Sequence, residues 1–297
     1  MATNSTYMTP STPPPLVVGA GNITTGGGGG AGGLVNPTLL AFHGSGSNAM
    51  IHIVQLARLS RLLKADFEIV SLQAPFPSAA GPGILPFFDG CGPYSRWIPP
   101  SENVTTDGMR NGLASSVMSA EVESLVKDAV LEARGKGSKV VGLIGFSQGT
   151  RVVAGLMKGC EIRRAVVEAE EGGEKGEEGE DWCDFDFALS VCGSYPPPLL
   201  PPSVSARLSA SSLSPSAQES ILSSRVKLPT LHLEGNADEW AWAAKLLVEG
   251  VYEVGEGMSE VRVCEMGHHY PQKVEEIEGV RDWVVGTVRG VGVEKEG

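Results

Sequence analysis

The sequence predicts an α/β fold with a mostly parallel central sheet and helices on both faces. Three observations predict it. Apolar runs of strand length alternate with segments of helical period. One such run, 140–144, leads into Gly145-Phe146-Ser147-Gln148-Gly149 and straight on into a helical segment, 150–157. An acidic residue, Asp238, stands just past a late strand, and two histidines, His268 and His269, stand just past the last one.

Bulk properties narrow the class. The chain has 297 residues, enough for one large domain with a real core. Its formal net charge of −12 argues against a nucleic-acid partner and against an anionic membrane surface. Five cysteines, an odd set without close pairing, predict free thiols in a reducing, cytoplasmic compartment. No apolar stretch has the length of a membrane span. Residues 1–35 are rich in Ser, Thr, Pro and Gly and are expected to form a disordered tail. The glycine run at 26–30 has no strand before it and no Gly-Lys-Ser/Thr after it, which excludes a phosphate loop. The domain is expected over 36–290, with a short tail at 291–297.

The first strand is expected at 38–42. It ends in His43-Gly44-Ser45-Gly46, and a helix follows with apolar positions at Ile51, Val54, Leu56, Leu59, Leu62 and Leu63. A histidine-glycine loop at this point can supply a backbone donor to a developing oxyanion, and Ser45 N–H is the expected donor. His43 itself reads as structural. A second strand, 67–72, leads into a long loop punctuated by proline and glycine, which forbid long regular structure. Its aromatic residues Phe87, Phe88, Tyr94 and Trp97 either line a substrate pocket or pin the loop to the core. Arg96 is either structural or a ligand for a substrate carboxylate. A helix is expected at 116–134, on the stripe Val117, Val122, Leu125, Val126, Ala129, Val130 and Ala133.

The pentapeptide at 145–149 then explains itself physically. A strand turning sharply into a helix strains its central residue, and glycines on either side remove Cβ atoms that would collide. The Ser147 hydroxyl is left exposed beside a helix N-terminus, where Gln148 N–H becomes the second oxyanion donor. Beyond it, 161–184 reads as a solvated acidic insertion, with ten acids and one lysine between Glu168 and Asp186. Its carboxylates lack the spacing of a calcium loop. A strand resumes at 185–192. A Ser/Pro/Leu-rich segment, 194–228, follows as a lid-like excursion, with Tyr195 a further candidate for the pocket.

The strand at 230–235 precedes Asp238, the expected orienting acid, with Glu234 and Glu239 as fallbacks. The last strand, 261–264, precedes His268 and His269. A histidine there reaches back to the serine, its Nε2 taking the hydroxyl proton while the acid holds Nδ1–H. No Cys, His or carboxylate set has metal-ligand spacing, so neither metal nor cofactor is expected. A helix at 273–285 closes the domain.

Together, Leu40-Ala41-Phe42-His43-Gly44, Ala74-Pro75-Phe76-Pro77, Gly92-Pro93-Tyr94-Ser95-Arg96-Trp97, the Gly145–Gly149 pentapeptide, Gly235-Asn236-Ala237-Asp238 and Gly267-His268-His269-Tyr270-Pro271 resemble the fungal serine hydrolases of the FSH type. These are α/β-hydrolases related to the ovarian-cancer-gene-two hydrolases. The likeness spans 37–283. It implies an α/β-hydrolase fold with long loops over the sheet's C-terminal edge and no metal. In the family the catalytic histidine follows a glycine and stands three before a proline, which selects His268 over His269. Family members often carry an aspartate before the Ala-Pro pair; here it is Gln73. Some relatives are carboxylesterases, and others, encoded beside polyketide synthases, release or edit an acyl thioester. The implied activity is hydrolysis of a carboxylic ester or acyl thioester through an acyl-enzyme, in secondary metabolite biosynthesis. Its partner would be a small molecule or a carrier-bound acyl chain. Acyl transfer through the same triad, and a non-catalytic binding protein of the same fold, are the alternatives.

Overall fold

A computed structural model describes residues 18–19, 35–102, 104–170, 181–196 and 199–294. The tail expected over 1–35 lies outside them, apart from β1 (Val18–Gly19) and Val35. The core of the fold is a seven-stranded sheet in the order β1-β3-β2-β6-β7-β8-β9. β1 pairs antiparallel with β3 (Glu68–Leu72). All other neighbours are parallel: β3 with β2 (Thr38–Phe42), then β6 (Val140–Phe146), β7 (Phe187–Val191), β8 (Thr230–Gly235) and β9 (Ser259–Cys264). β2, β6 and β7 are buried along their whole length, as parallel strands covered on both faces must be.

Helices cover both faces. On one lie α1 (Ala49–Leu63) and α8 (Val274–Glu294), burying Leu56, Leu59, Leu63, Ile277, Val280 and Val284. On the other lie α3 (Ala120–Gly135), α4 (Gly149–Ala169), α5 (Pro202–Ala210) and α7 (Ala241–Val251). Each leucine so buried stabilises the fold by roughly 1.5–3 kcal/mol. α1 starts where Asn48 Oδ1 accepts Ile51 N–H at 2.9 Å, and α3 starts at Ser119, whose hydroxyl accepts Val122 N–H at 3.3 Å. A separate hairpin, β4 (Phe76–Ser78) with β5 (Tyr94–Arg96), and the short α2 (Thr106–Arg110) belong to the long middle loop.

The structure differs from expectation in three places. Residues 161–169, expected as the start of the acidic loop, continue α4, because Ile162 and Val166 keep its buried stripe going; 171–180 lie outside the described residues. Of the lid-like segment, only its opening residues stand at the sheet edge. The rest forms α5 and α6 (Pro215–Ser223), which lie against α4, and Arg207 of α5 reaches Glu170 just beyond α4's far end. The closing helix runs on to Glu294, past the boundary expected at 290.

Because the other six strands of this sheet point one way, their C-terminal ends line one edge. The loops leaving β2, β6, β7, β8 and β9 converge there. His43 sits under that edge, fully buried, its Nδ1–H donating to Gly44 O at 2.7 Å and its Nε2 accepting Ala74 N–H at 3.1 Å. Two more histidines are buried. His52 in α1 bonds Ser71 Oγ and Tyr270 OH, and His232 in β8 packs edge-on against Tyr252.

These three histidines make stability depend on pH. Burial pushes His43 down to about 4, His232 down to about 3 and His52 well below the ordinary range. The native state holds them neutral while the unfolded chain protonates them below about pH 6.5, so the unfolded state binds more protons and stability falls as pH falls through that value. Between pH 7 and pH 5 each should cost about 2 kcal/mol. Urea unfolding at the two pH values should show that drop, and His232→Leu should shrink it by about 2 kcal/mol. An equal drop in wild type and variant would contradict the assignment of His232 as a neutral group.

Candidate active site

β6 delivers Ser147 to the sheet edge with φ 48°, in the left-handed region that non-glycine residues avoid. The turn is held on three sides. Ser147 N–H donates to Val191 O at 3.0 Å, Thr150 N–H returns to Ser147 O at 2.9 Å, and the Thr150 hydroxyl donates to the same carbonyl at 2.6 Å. The flanking glycines are required by contact. A Cβ on Gly145 would stand 2.8 Å from Thr150 Cα, and one on Gly149 would stand 2.2 Å from Phe42 O. The strand-to-helix turn thus packs its backbone directly on the end of β2.

Asp238 and His268 arrive from the last two strands of the sheet. Asp238 follows β8 and is buried, while His268 follows β9. His268 Nε2 lies 3.0 Å from Ser147 Oγ, and its Nδ1 lies 3.0 and 2.9 Å from the two Asp238 oxygens. That fixes the tautomer: Nδ1–H faces the acid and Nε2 is left to accept from the hydroxyl. Phe146 packs its ring 5.2 Å from the His268 ring. Burial on its own would raise the Asp238 carboxyl. Hydrogen bonds from His268 and from Trp240 N–H, the latter at 2.8 Å, outweigh it and hold the group below its ordinary value. His269 turns the other way. Its Nε2 accepts Gly267 N–H at 3.2 Å and its Nδ1–H donates to Tyr270 O at 2.8 Å. The fallback acid Glu239 is exposed and Glu234 is half-buried within β8; the histidine is bonded to neither.

The loop after β2 lies against the nucleophile turn. A Cβ on Gly44 would meet Ser147 Cβ at 3.3 Å. The loop is clamped from its other side, where Gly46 N–H donates to Ser95 O at 2.9 Å and Gly81 N–H donates to Gly46 O at 3.0 Å. Among the described residues, neither Ser45 N–H nor Gln148 N–H is spent on an internal hydrogen bond. Gln148 sits just ahead of α4, where the helix dipole favours negative charge. Its side chain is structural, with Oε1 accepting Trp97 N–H at 2.8 Å.

The aromatic candidates divide. Trp97 is fully buried, its indole N–H donating to His43 O at 2.7 Å and its ring edge-on to Phe42 at 5.3 Å, so it is corrected to a core residue that supports the loop. Phe87 is 85% exposed on the middle loop, and Phe88 is half-buried beside it. Tyr94 donates its hydroxyl to Phe88 O at 2.7 Å and so ties that loop together. Arg96 donates to Pro99 O at 3.0 Å. Tyr195 is half-buried and follows Ser194, whose N–H donates to Thr150 Oγ1 at 2.9 Å, one bond removed from the nucleophile. Gln73, just before the Ala-Pro pair, accepts Ala49 N–H with its Oε1 at 3.0 Å at the start of α1.

Sequence reasoning missed Cys192. It follows β7 with φ 50°, and its thiol reaches the carbonyls of Gly267 and His269, which flank His268, at 3.8 and 3.6 Å. Its Sγ, an Asp238 oxygen and a His268 nitrogen lie within 4.8 Å of one another. Burial and the Asp238 charge push the thiol far up and keep it protonated beside the Asp238–His268 pair. A cysteine inside an apolar strand end carries no sequence signal for this role. All five cysteines are free thiols, and no helix among the described residues is long and apolar enough to cross a membrane.

Comparison with known proteins finds a family model, related sequences and a similar fold. The family model described as "Serine hydrolase (FSH1)" matches residues 35–280. The chain is 26% identical over 253 residues to "Esterase FUS5" of Gibberella moniliformis, covering 85% of this chain and 88% of that protein. It is 29% identical over 218 residues to "Thioesterase FSL2" of Gibberella zeae, covering 72% and 78%. Over 121 residues it is 39% identical to a thioesterase of Aspergillus terreus named for dihydromonacolin L and lovastatin nonaketide synthase, covering 40% and 46%. In fold it resembles the crystal structure of Zea mays acyl-protein thioesterase 2, with a TM-score of 0.50 at 17% identity, covering 86% of this chain and 95% of that one.

The packing of the turn on β2 can be tested without assaying anything. Gly149→Ala forces a methyl against Phe42 O and should lower the unfolding free energy by about 1–3 kcal/mol. Gly286→Ala in α8, where nothing lies within 4 Å, should lose none and gain up to about 1 kcal/mol of helix propensity. Urea titrations of both variants check this, and equal stability of the two would contradict the contact.

Proposed function

The chain belongs to the serine hydrolase family whose model it matches over residues 35–280, and we propose that Ser147, His268 and Asp238 are its catalytic triad, acting on a carboxylic ester or acyl thioester. The observation that carries this reading is the unbroken relay from Ser147 Oγ to His268 Nε2 at 3.0 Å and from His268 Nδ1 to Asp238 at 2.9 Å.

The chemistry follows from the atoms. His268 Nε2 takes the hydroxyl proton as Ser147 Oγ attacks the carbonyl carbon, and the imidazolium so formed is stabilised by the Asp238 carboxylate. The carbonyl oxygen becomes an oxyanion. Ser45 N–H and Gln148 N–H are the donors assigned to it, since both are uncommitted and flank the nucleophile. His268 then protonates the departing alcohol or thiol, leaving an acyl-Ser147 ester. Water, deprotonated by His268, attacks that ester, and the carboxylic acid and the free serine are released. The relatives named esterase and thioesterase support an acyl substrate of either kind, delivered as a small molecule or on a carrier protein of a biosynthetic synthase. A non-catalytic binding protein would not need the three side chains held at these distances.

Ser147→Ala and His268→Ala should each lower kcat on a short-chain aryl ester by ~10⁴–10⁶-fold while the far-ultraviolet circular dichroism is unchanged. His269→Ala should retain most of kcat, because its ring bonds only its own loop. Near-normal turnover by folded Ser147→Ala, or a dead His269→Ala beside an active His268→Ala, would overturn the assignment.

A further inference from the structure

His43 begins the loop that carries Ser45, is fully buried and takes no part in the relay. Both of its ring nitrogens have fixed roles. Ala74 N–H, a backbone donor whose direction cannot reverse, meets Nε2 at 3.1 Å, so Nε2 accepts and the ring proton sits on Nδ1. Ser95 works in the same sense. Its hydroxyl oxygen accepts Gln73 Nε2–H at 2.5 Å, which leaves its own proton to donate toward His43 Nε2, 3.5 Å away. Burial keeps the ring neutral. Nδ1–H then donates to Gly44 O at 2.7 Å.

Gly44 O and Ser45 N–H belong to one peptide unit. The unit is planar and trans, so its C=O and N–H point in opposite directions. A carbonyl drawn toward the buried His43 ring therefore turns Ser45 N–H outward. The surroundings agree, because Ser45 is the only residue from Thr38 to Ala49 that is not buried. Ser147 stands alongside, since a Cβ on Gly44 would meet Ser147 Cβ at 3.3 Å. Neighbouring groups of the loop are tied elsewhere: His43 O takes the Trp97 indole N–H, Gly46 N–H donates to Ser95 O, and Gly46 O accepts Gly81 N–H. We propose that His43 is a positioning residue for the oxyanion hole, holding the Gly44–Ser45 peptide so that Ser45 N–H faces the developing oxyanion. A donor on the carbonyl also polarises the N–H of the same unit and strengthens it as a donor. The inference rests on the function proposed above and adds a residue to its machinery. His43 keeps its proton throughout, so the steps of the reaction are unchanged.

Two amide variants test it, because each copies one nitrogen of the ring. The asparagine Nδ2 falls where Nδ1 stands and still donates to Gly44 O. The glutamine Oε1 reaches the place of Nε2 and still accepts Ala74 N–H, but nothing then holds Gly44 O. His43→Asn should keep kcat on p-nitrophenyl acetate within about tenfold of wild type, while His43→Gln should lower it by about 10²-fold or more with KM nearly unchanged. A trifluoromethyl ketone reads the oxyanion hole itself. Ser147 Oγ adds to its carbonyl carbon, the hydroxyl proton passes to His268, and the negative charge stays on the former carbonyl oxygen. Its Ki should rise in His43→Gln by about the factor lost in kcat/KM. Glutamine fills the buried site better than asparagine, so a residue that merely supports the loop gives the opposite order of activity. That order, or equal activity of the two variants, overturns the inference. Should either variant fail to fold, nuclear magnetic resonance of wild type with labelled histidine nitrogens decides it. His43 should show its proton on Nδ1, and that proton's resonance should move downfield when the ketone adduct forms. A proton on Nε2, or a resonance that the adduct leaves in place, overturns the inference. Wild type separates the two readings. If it neither cleaves the ester nor binds the ketone, the proposed function fails; if it does both and the variants rank the other way, this inference alone fails.

Discussion

The Ser147 backbone, held at φ 48° between a fully buried strand and a fully buried helix start, is the constraint on which the rest of the site depends. A left-handed serine costs of order 1–3 kcal/mol, and that cost is met by packing on every side. Gly149 lets α4 start against Phe42 O, Gly145 lets β6 pass under Thr150, and Val191 O takes the serine's own N–H. Because the turn is pressed onto the end of β2, the loop that begins at His43 has nowhere to go except alongside the nucleophile. His43 then has to be buried and neutral, and Trp97 has to be drawn in to satisfy its carbonyl.

The other side of the site follows from the parallel sheet. β8 and β9 are the next strands beyond β7, in register from Thr230↔Ser259 to Gly235↔Cys264, so their following loops meet above the same edge. Asp238 is fixed by Trp240 N–H and His268 is fixed by Asp238. The Cys192 thiol, touching the carbonyls on either side of His268, ties the histidine loop back to β7. Three loops from three strands thereby hold one imidazole, and the order of strands in the sheet, rather than closeness in sequence, brings its partners to it.

Much of this was readable from residue order. The strand–pentapeptide–helix pattern gave the α/β class and the position of Ser147, since glycine spacing and apolar runs are local signals. The family resemblance, through the register of Gly267, His268 and Pro271, separated two adjacent histidines that the bare residues left ambiguous. What was not readable depends on tertiary contact. The acidic run hid the end of α4, because Ile162 and Val166 carry the helix while charge dominates the composition around them. Trp97 resembled a pocket aromatic until its indole N–H found His43 O.

The relay itself is tested most directly by labelling the protein with a fluorophosphonate and mapping the adduct by peptide mass spectrometry. The account predicts one stoichiometric adduct, on Ser147 in the peptide that bears Gly145–Gly149, formed at least ~10³-fold more slowly in His268→Ala. An adduct on any other residue, or labelling of Ser147 at an undiminished rate in His268→Ala, would contradict it.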